Sequence, residues 1–238
     1  LAILTRSKDN TKPPTHNCLF PIPNMNISAR SYTLQLAANA LIRGHRDSEW
    51  CGHGPVLEQD IAISNIALDC IGQARNFYQY AAELTGNNET EDSLAYLRDV
   101  IDFKNCLLVE LPNGDWAQTI LRQFFFSTYQ YFLYQQLQTS SDQQLAAIAE
   151  KALKEVTYHV RWSSEWVIRL GDGTPESKQR MIHAINELWN YTGEMYIAVD
   201  YELGAAIEGY GIDLTGIINN GYEKIRNVFK KAKLAVPF

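Results

Sequence analysis

Apolar residues recur along this chain at the three-to-four-residue spacing of an amphipathic helix, and the longest runs define four long helices. Ile66, Cys70, Ala74, Phe77, Ala81 and Leu84 step by 4, 4, 3, 4 and 3. They predict a helix over 56–85, ended by Gly86. Ala117, Ile120, Phe124, Thr128, Tyr131 and Gln135 predict a second over 114–138. The run from Leu145 through Ile148, Ala152, Val156, His159, Ser163 and Val167 to Leu170 predicts a third over 142–170, stopped by Gly171-Asp172-Gly173. An earlier helix is expected over 28–50, with Ser28 as its candidate cap and Gly52-His53-Gly54 beyond its end.

The links between these helices suggest their arrangement. Residues 51–55 and 139–141 are tight turns, whereas Gly86 to Gly114 is a long connection with room for a short helix over 91–104. Two antiparallel pairs joined by one long crossover is the ferritin-like form of the four-helix bundle; an up-down-up-down bundle has short loops throughout. Further helices over 175–190, 192–209 and 215–233, and an extended tail over 234–238, complete an all-α chain with no alternating run for a sheet. Four of the eight prolines lie between Pro13 and Pro23, so residues 1–27 read as an extended arm and 28–238 as a single helical domain. Pro55, Pro112 and Pro175 read as helix starts.

Charge and composition narrow the partners. With 21 basic against 27 acidic residues the 238-residue chain carries a formal charge of −6, and no Lys/Arg cluster offers a nucleic acid a footprint. The longest uncharged stretch, Gln123 to Ser141, contains five glutamines and is too polar to span a bilayer. The N-terminus does not read as a signal peptide, since Arg6, Lys8 and Asp9 follow its few apolar residues. Cys18, Cys51, Cys70 and Cys106 have no CxxC spacing and read as buried free thiols in a reducing cytoplasm.

A ferritin-like bundle commonly carries a di-iron centre built from one Glu on each of two helices and a Glu-x-x-His on each of the others. Three residues before the five histidines stand Pro13, Ile42, Trp50, Val156 and Arg180, none of them acidic. The nearest approach is Glu155 with His159, four apart on one helix, and Asp69 with Gln73 at comparable depth on another. These four are candidate vestigial metal-site positions. The bland reading is an intrahelical pair at the core edge, and a self-sufficient oxidoreductase binding metal through Asp69, Glu155 and His159 is the alternative. Glu49 and His53 repeat the four-residue spacing but fall at a turn. No GxSxG, HExxH, P-loop or GxGxxG signature is present.

Two packing features stand out. Gly44 and Gly72 lie inside predicted helices, where glycine costs about 1 kcal/mol against alanine, and predict close helix approach. Phe124, Phe125 and Phe126 cover about 200° of one helix and cannot all face one bundle core. Burial under the C-terminal helices and burial against a partner subunit are both open, so the three are candidate partner-interface aromatics.

The run Ser48-Glu49-Trp50-Cys51-Gly52-His53-Gly54-Pro55, continued by Leu57-Glu58-Gln59-Asp60-Ile61-Ala62 and Asn65-Ile66-Ala67-Leu68-Asp69 to Gly72-Gln73-Ala74-Arg75, resembles the PaaC family, the C subunits of bacterial phenylacetyl-CoA epoxidases. Val109-Glu110-Leu111-Pro112-Asn113-Gly114-Asp115 and Arg169-Leu170-Gly171-Asp172-Gly173-Thr174 agree with it, and the similarity spans residues 32–194 well, the C-terminal part loosely and the first 27 not at all. The resemblance implies a ferritin-like subunit without catalytic residues or a cofactor of its own. It would pair with a homologous catalytic subunit, PaaA, which holds the di-iron centre. That complex epoxidises the ring of phenylacetyl-CoA with oxygen and with reducing equivalents from NADPH, delivered by a reductase subunit. A homo-oligomer of the chain alone stays open.

Overall fold

The computed structural model describes residues 25–86 and 88–237. Four long helices, α1 (Met25–Ser48), α2 (Leu57–Glu83), α5 (Trp116–Leu137) and α6 (Gln143–Gly171), form the bundle. The crossover between α2 and α5 carries α3 (Glu91–Tyr96) and α4 (Leu107–Glu110), and the chain ends in α7 (Pro175–Leu188), α8 (Asp200–Glu208) and α9 (Thr215–Lys231). Helix α1 packs on α2 and α5 on α6, with α2 against α6 closing the bundle, which is the ferritin-like arrangement. Among the described residues no strand occurs, and no helix is long and apolar enough to cross a membrane.

Local chemistry explains the boundaries. The Asp115 carboxylate accepts from the Gln118 backbone N–H while the Gln118 side chain accepts from the Asp115 N–H, a capping box that starts α5. Asp142 caps α6 through the N–H groups of Gln144 and Leu145, and Thr174 caps α7 with Pro175 in the first turn. The turn between α1 and α2 is held by Asp60, whose carboxylate accepts from Gly54 N–H at 3.0 Å. That bond, with help from Gly52, keeps the Asp60 carboxyl below the usual range.

Several sequence expectations need correction. Helix α1 begins at Met25, so Ser28 lies buried inside it rather than capping it, and residues 25–27 are helical; the rest of the arm predicted over 1–27 lies outside the described residues. Pro55 and Pro112 precede the caps of their helices, and only Pro175 stands in a first turn. The helix expected over 91–104 is α3 followed by a separate 3₁₀ turn at Val100–Asp102. The one expected over 192–209 is a 3₁₀ turn at Glu194–Tyr196 followed by α8. Cys51 is exposed, unlike the buried Cys70, and Cys18 lies outside the described residues.

The two helical glycines differ. A Cβ on Gly44 would stand 3.1 Å from the Ala67 carbonyl oxygen and 3.0 Å from Ile71 Cγ1, so α1 and α2 touch there backbone to backbone. Nothing lies within 4 Å of a Cβ on Gly72, which faces outward; the close approach expected within the chain is absent.

Phe124, Phe125 and Phe126 are all fully buried within the chain, which removes them as partner-interface aromatics. Phe229 of α9 covers Phe124 and Phe125 at ring separations of 6.4 and 6.1 Å, Trp189 meets Phe125 edge-on, and Phe126 stacks beside Tyr129. The C-terminal helices are therefore the second layer that three consecutive aromatics require.

Candidate functional site at the bundle centre

Helix α1 brings two charged residues to positions that its spacing would reserve for apolar ones. Leu36, Ala40, Arg43 and Asp47 step by 4, 3 and 4 and are all buried. The Arg43 guanidinium pairs with the Asp47 carboxylate one turn away, both side chains wholly closed to solvent, and its Nε donates to Gln123 Oε1 on α5 at 2.8 Å. Burial pushes the Asp47 carboxyl up, while Arg43, Arg122 and His159 act against that push.

Helix α5 adds Arg122, which donates to the Leu111 and Pro112 carbonyls and to the Asn113 side chain, pinning the end of the crossover to the bundle. Burial, and then the nearby Arg43, lowers its pKa to about 9, which leaves it protonated at neutral pH.

All four residues singled out from the sequence meet between α2 and α6. The His159 Nε2 lies 2.9 Å from Asp69 Oδ2, and Gln73 Nε2 donates to Glu155 Oε2 at 2.9 Å. The two rungs are one turn apart on antiparallel helices. Gln130 extends them across to α5, donating to the Tyr134 hydroxyl at 3.2 Å and, more weakly, to Gln73 Oε1 at 3.5 Å. His159 is wholly buried, whereas the Asp69 side chain is 35% exposed, so this rung runs from the core to a solvent-facing edge.

The bundle centre does not fit the di-iron centre that such folds often hold. A metal pair needs several carboxylates free to bind cations. Here Asp47 faces two guanidinium groups, and Asp69 and Glu155 are already engaged by His159 and Gln73. Among the described residues no three His, Cys, Asp or Glu side chains converge. Chemically, the arrangement cross-links helices through hydrogen bonds, with the Arg43–Asp47 charge pair closed within α1.

Sequence reasoning singled out Asp69, Gln73, Glu155 and His159 as candidate vestigial metal-site positions, with an intrahelical pair as the plain reading; the structure pairs them across α2 and α6 instead, and Arg43, Asp47, Arg122 and Gln123 were missed. The available signal was Arg43 and Asp47 falling in the apolar register of α1.

We expect His159→Gln to lower stability by about 1 to 3 kcal/mol in urea denaturation, through loss of a hydrogen bond to a buried side chain. A change within about 0.5 kcal/mol, typical of an inconsequential surface site, would contradict the cross-linking role.

Residues 23–238 match the family of phenylacetic acid catabolic proteins. Over 183 residues, 77% of this chain and 73% of the relative, the sequence is 50% identical to the C subunit of the 1,2-phenylacetyl-CoA epoxidase of Escherichia coli (strain K12). With a match across all of its described helices, the chain belongs to the phenylacetic acid catabolic protein family.

Proposed function

We propose that this chain is a non-catalytic structural subunit of a multicomponent monooxygenase that epoxidises the aromatic ring of phenylacetyl-CoA. It pairs with and stabilises a PaaA-type catalytic subunit, in which the di-iron centre resides. The observation that carries this reading is the bundle centre. There Arg43 supplies the positive charge that a catalytic bundle takes from its metals, and hydrogen bonds engage the carboxylates. The 50% identity to a protein named as an epoxidase subunit supports the assembly and the substrate class.

The outer face of α2 supports pairing. Leu57, Ile61 and Leu68 are more than half exposed and stand with Gly72 at steps of 4, 7 and 4, the seam spacing of a helix that meets another helix. Tyr96, Leu97, Val100 and Ile101 on the crossover are also exposed. An apolar seam on an otherwise polar face marks an association surface. Gly72, with open space over its Cα, lets a second backbone come close.

This yields a test with opposite signs in two measurements. Gly72→Ala should raise the stability of the isolated chain by about 1 kcal/mol, because alanine is the better helix former and meets no obstacle. The same substitution, and Leu68→Ser, should weaken binding of the PaaA-type partner about tenfold or more in titration calorimetry. Unchanged affinity in both variants would remove α2 as the pairing face.

A further inference from the structure

On the flank of α1 away from α2, where α8 packs, lies an open cavity of about 460 Å³. Its polar lining includes Gln35, Asn39, Lys104, Tyr129, Glu194 and Glu202. Glu202 is 4% exposed, and one of its oxygens accepts from the Val199 N–H at 2.9 Å. The Gln35 amide is its side-chain neighbour, and no cation among the described residues lies against it, so burial raises its carboxyl above the usual range. Glu194 accepts from the Leu108 N–H at 2.9 Å. The buried Gln35 Oε1 makes no hydrogen bond among the described residues.

A desolvated carboxylate without a cation is costly, and proteins normally pair such groups. This cavity brings two carboxylates together, an acceptor set that calls for a guest rich in donors. Its surroundings are apolar and exposed: Ile197 and Val199 belong to the lining, Leu107 and Leu203 follow the lining residues Cys106 and Glu202 in the chain, and Ile207 is 86% exposed one turn further along α8. A polar anchor in a desolvated pocket within an apolar ring is the anatomy of a protein hot spot. A small free cation would leave that ring uncovered.

We propose that this cavity is a socket for an arginine side chain of another member of the same assembly, gripped by Glu202 and Glu194, with apolar side chains of that partner laid over α8. A guanidinium fits better than an ammonium because its five donors in a planar fork can reach several fixed acceptors at once. Lys104, also in the lining, is exposed and forms no ion pair among the described residues, so it does not neutralise Glu202.

The proposal rests on membership of an epoxidase assembly, and its test separates the two. Each remaining subunit, purified, is titrated against the full chain and against Glu202→Gln, Leu203→Ser and Ile207→Ser. The last two alter exposed side chains and keep the test valid if Glu202→Gln unfolds. We expect one subunit to bind Glu202→Gln about thirtyfold more weakly and each apolar variant about tenfold more weakly, with melting curves otherwise alike for the exposed variants. If no subunit binds the parent chain, both readings fall. If the parent binds and every variant binds equally well, the socket alone falls. The socket as an intersubunit site is also overturned if only self-association of the chain responds. Glu202-dependent binding of spermidine with no subunit affected would overturn it likewise.

Discussion

Arg43→Met lowers the unfolding free energy by about 3 to 5 kcal/mol, the cost of leaving one partner of a buried ion pair alone. Asp47 would then sit wholly buried without its neighbouring guanidinium, and the Arg43 bond to Gln123 across to α5 would be lost as well. Because two-state domains are stable by only about 5 to 15 kcal/mol, that is a large share of the total. The double variant Arg43→Met with Asp47→Leu should recover most of the loss, since exchanging a whole buried pair for apolar groups of similar volume is often neutral or better. Urea denaturation of both variants decides the matter. A double variant as unstable as the single one would show that the pair acts through its shape and bonds to α5, and not through neutralised charge.

The second large effect concerns activity. The chain alone, given phenylacetyl-CoA, oxygen and a reductase system, should form no epoxide, while addition of the PaaA-type subunit should restore turnover and give a stable complex on size exclusion. The physical reason is division of labour between two bundles. On the proposed reading the PaaA-type bundle would keep its carboxylates for metal, whereas this one engages Asp69 and Glu155 with His159 and Gln73. His159→Gln should then leave the turnover of the reconstituted complex nearly intact despite its cost in stability. A folded variant that assembles normally yet loses nearly all turnover would assign His159 a part in the chemistry.

The long helices were legible in the sequence because α2 and α6 carry apolar residues at a strict helical spacing, and spacing is what decides which face is buried. The crossover and the segment 189–199 were harder, since 3₁₀ turns such as Val100–Asp102 and Glu194–Tyr196 are too short to show a period. The phenylalanine triplet showed that a second layer exists but could not name it. Phe229, more than a hundred residues away, supplies the cover only once α9 folds back. Gly44 and Gly72 look alike in the sequence, and only the structure separates an internal helix contact from an outward face.

At the bundle centre, the i, i+4 spacing located Glu155 and His159, and the α2–α6 pairing then brought Asp69 and Gln73 to meet them. Arg43 and Asp47 escaped notice because Asp47 has no histidine three or four residues from it, and its partner on the same helix is a guanidinium, which is no metal ligand. A charged pair inside an apolar register is the sign to seek.

Iron content of the purified full-length chain, loaded under anaerobic conditions with ferrous iron and then desalted, tests the non-catalytic role most directly. We expect less than about 0.1 iron per chain, because a di-iron centre needs about six protein ligands in fixed geometry. Near-stoichiometric iron with a ferric-oxo absorption band after exposure to air would contradict it and make the chain a metal-dependent oxidoreductase in its own right.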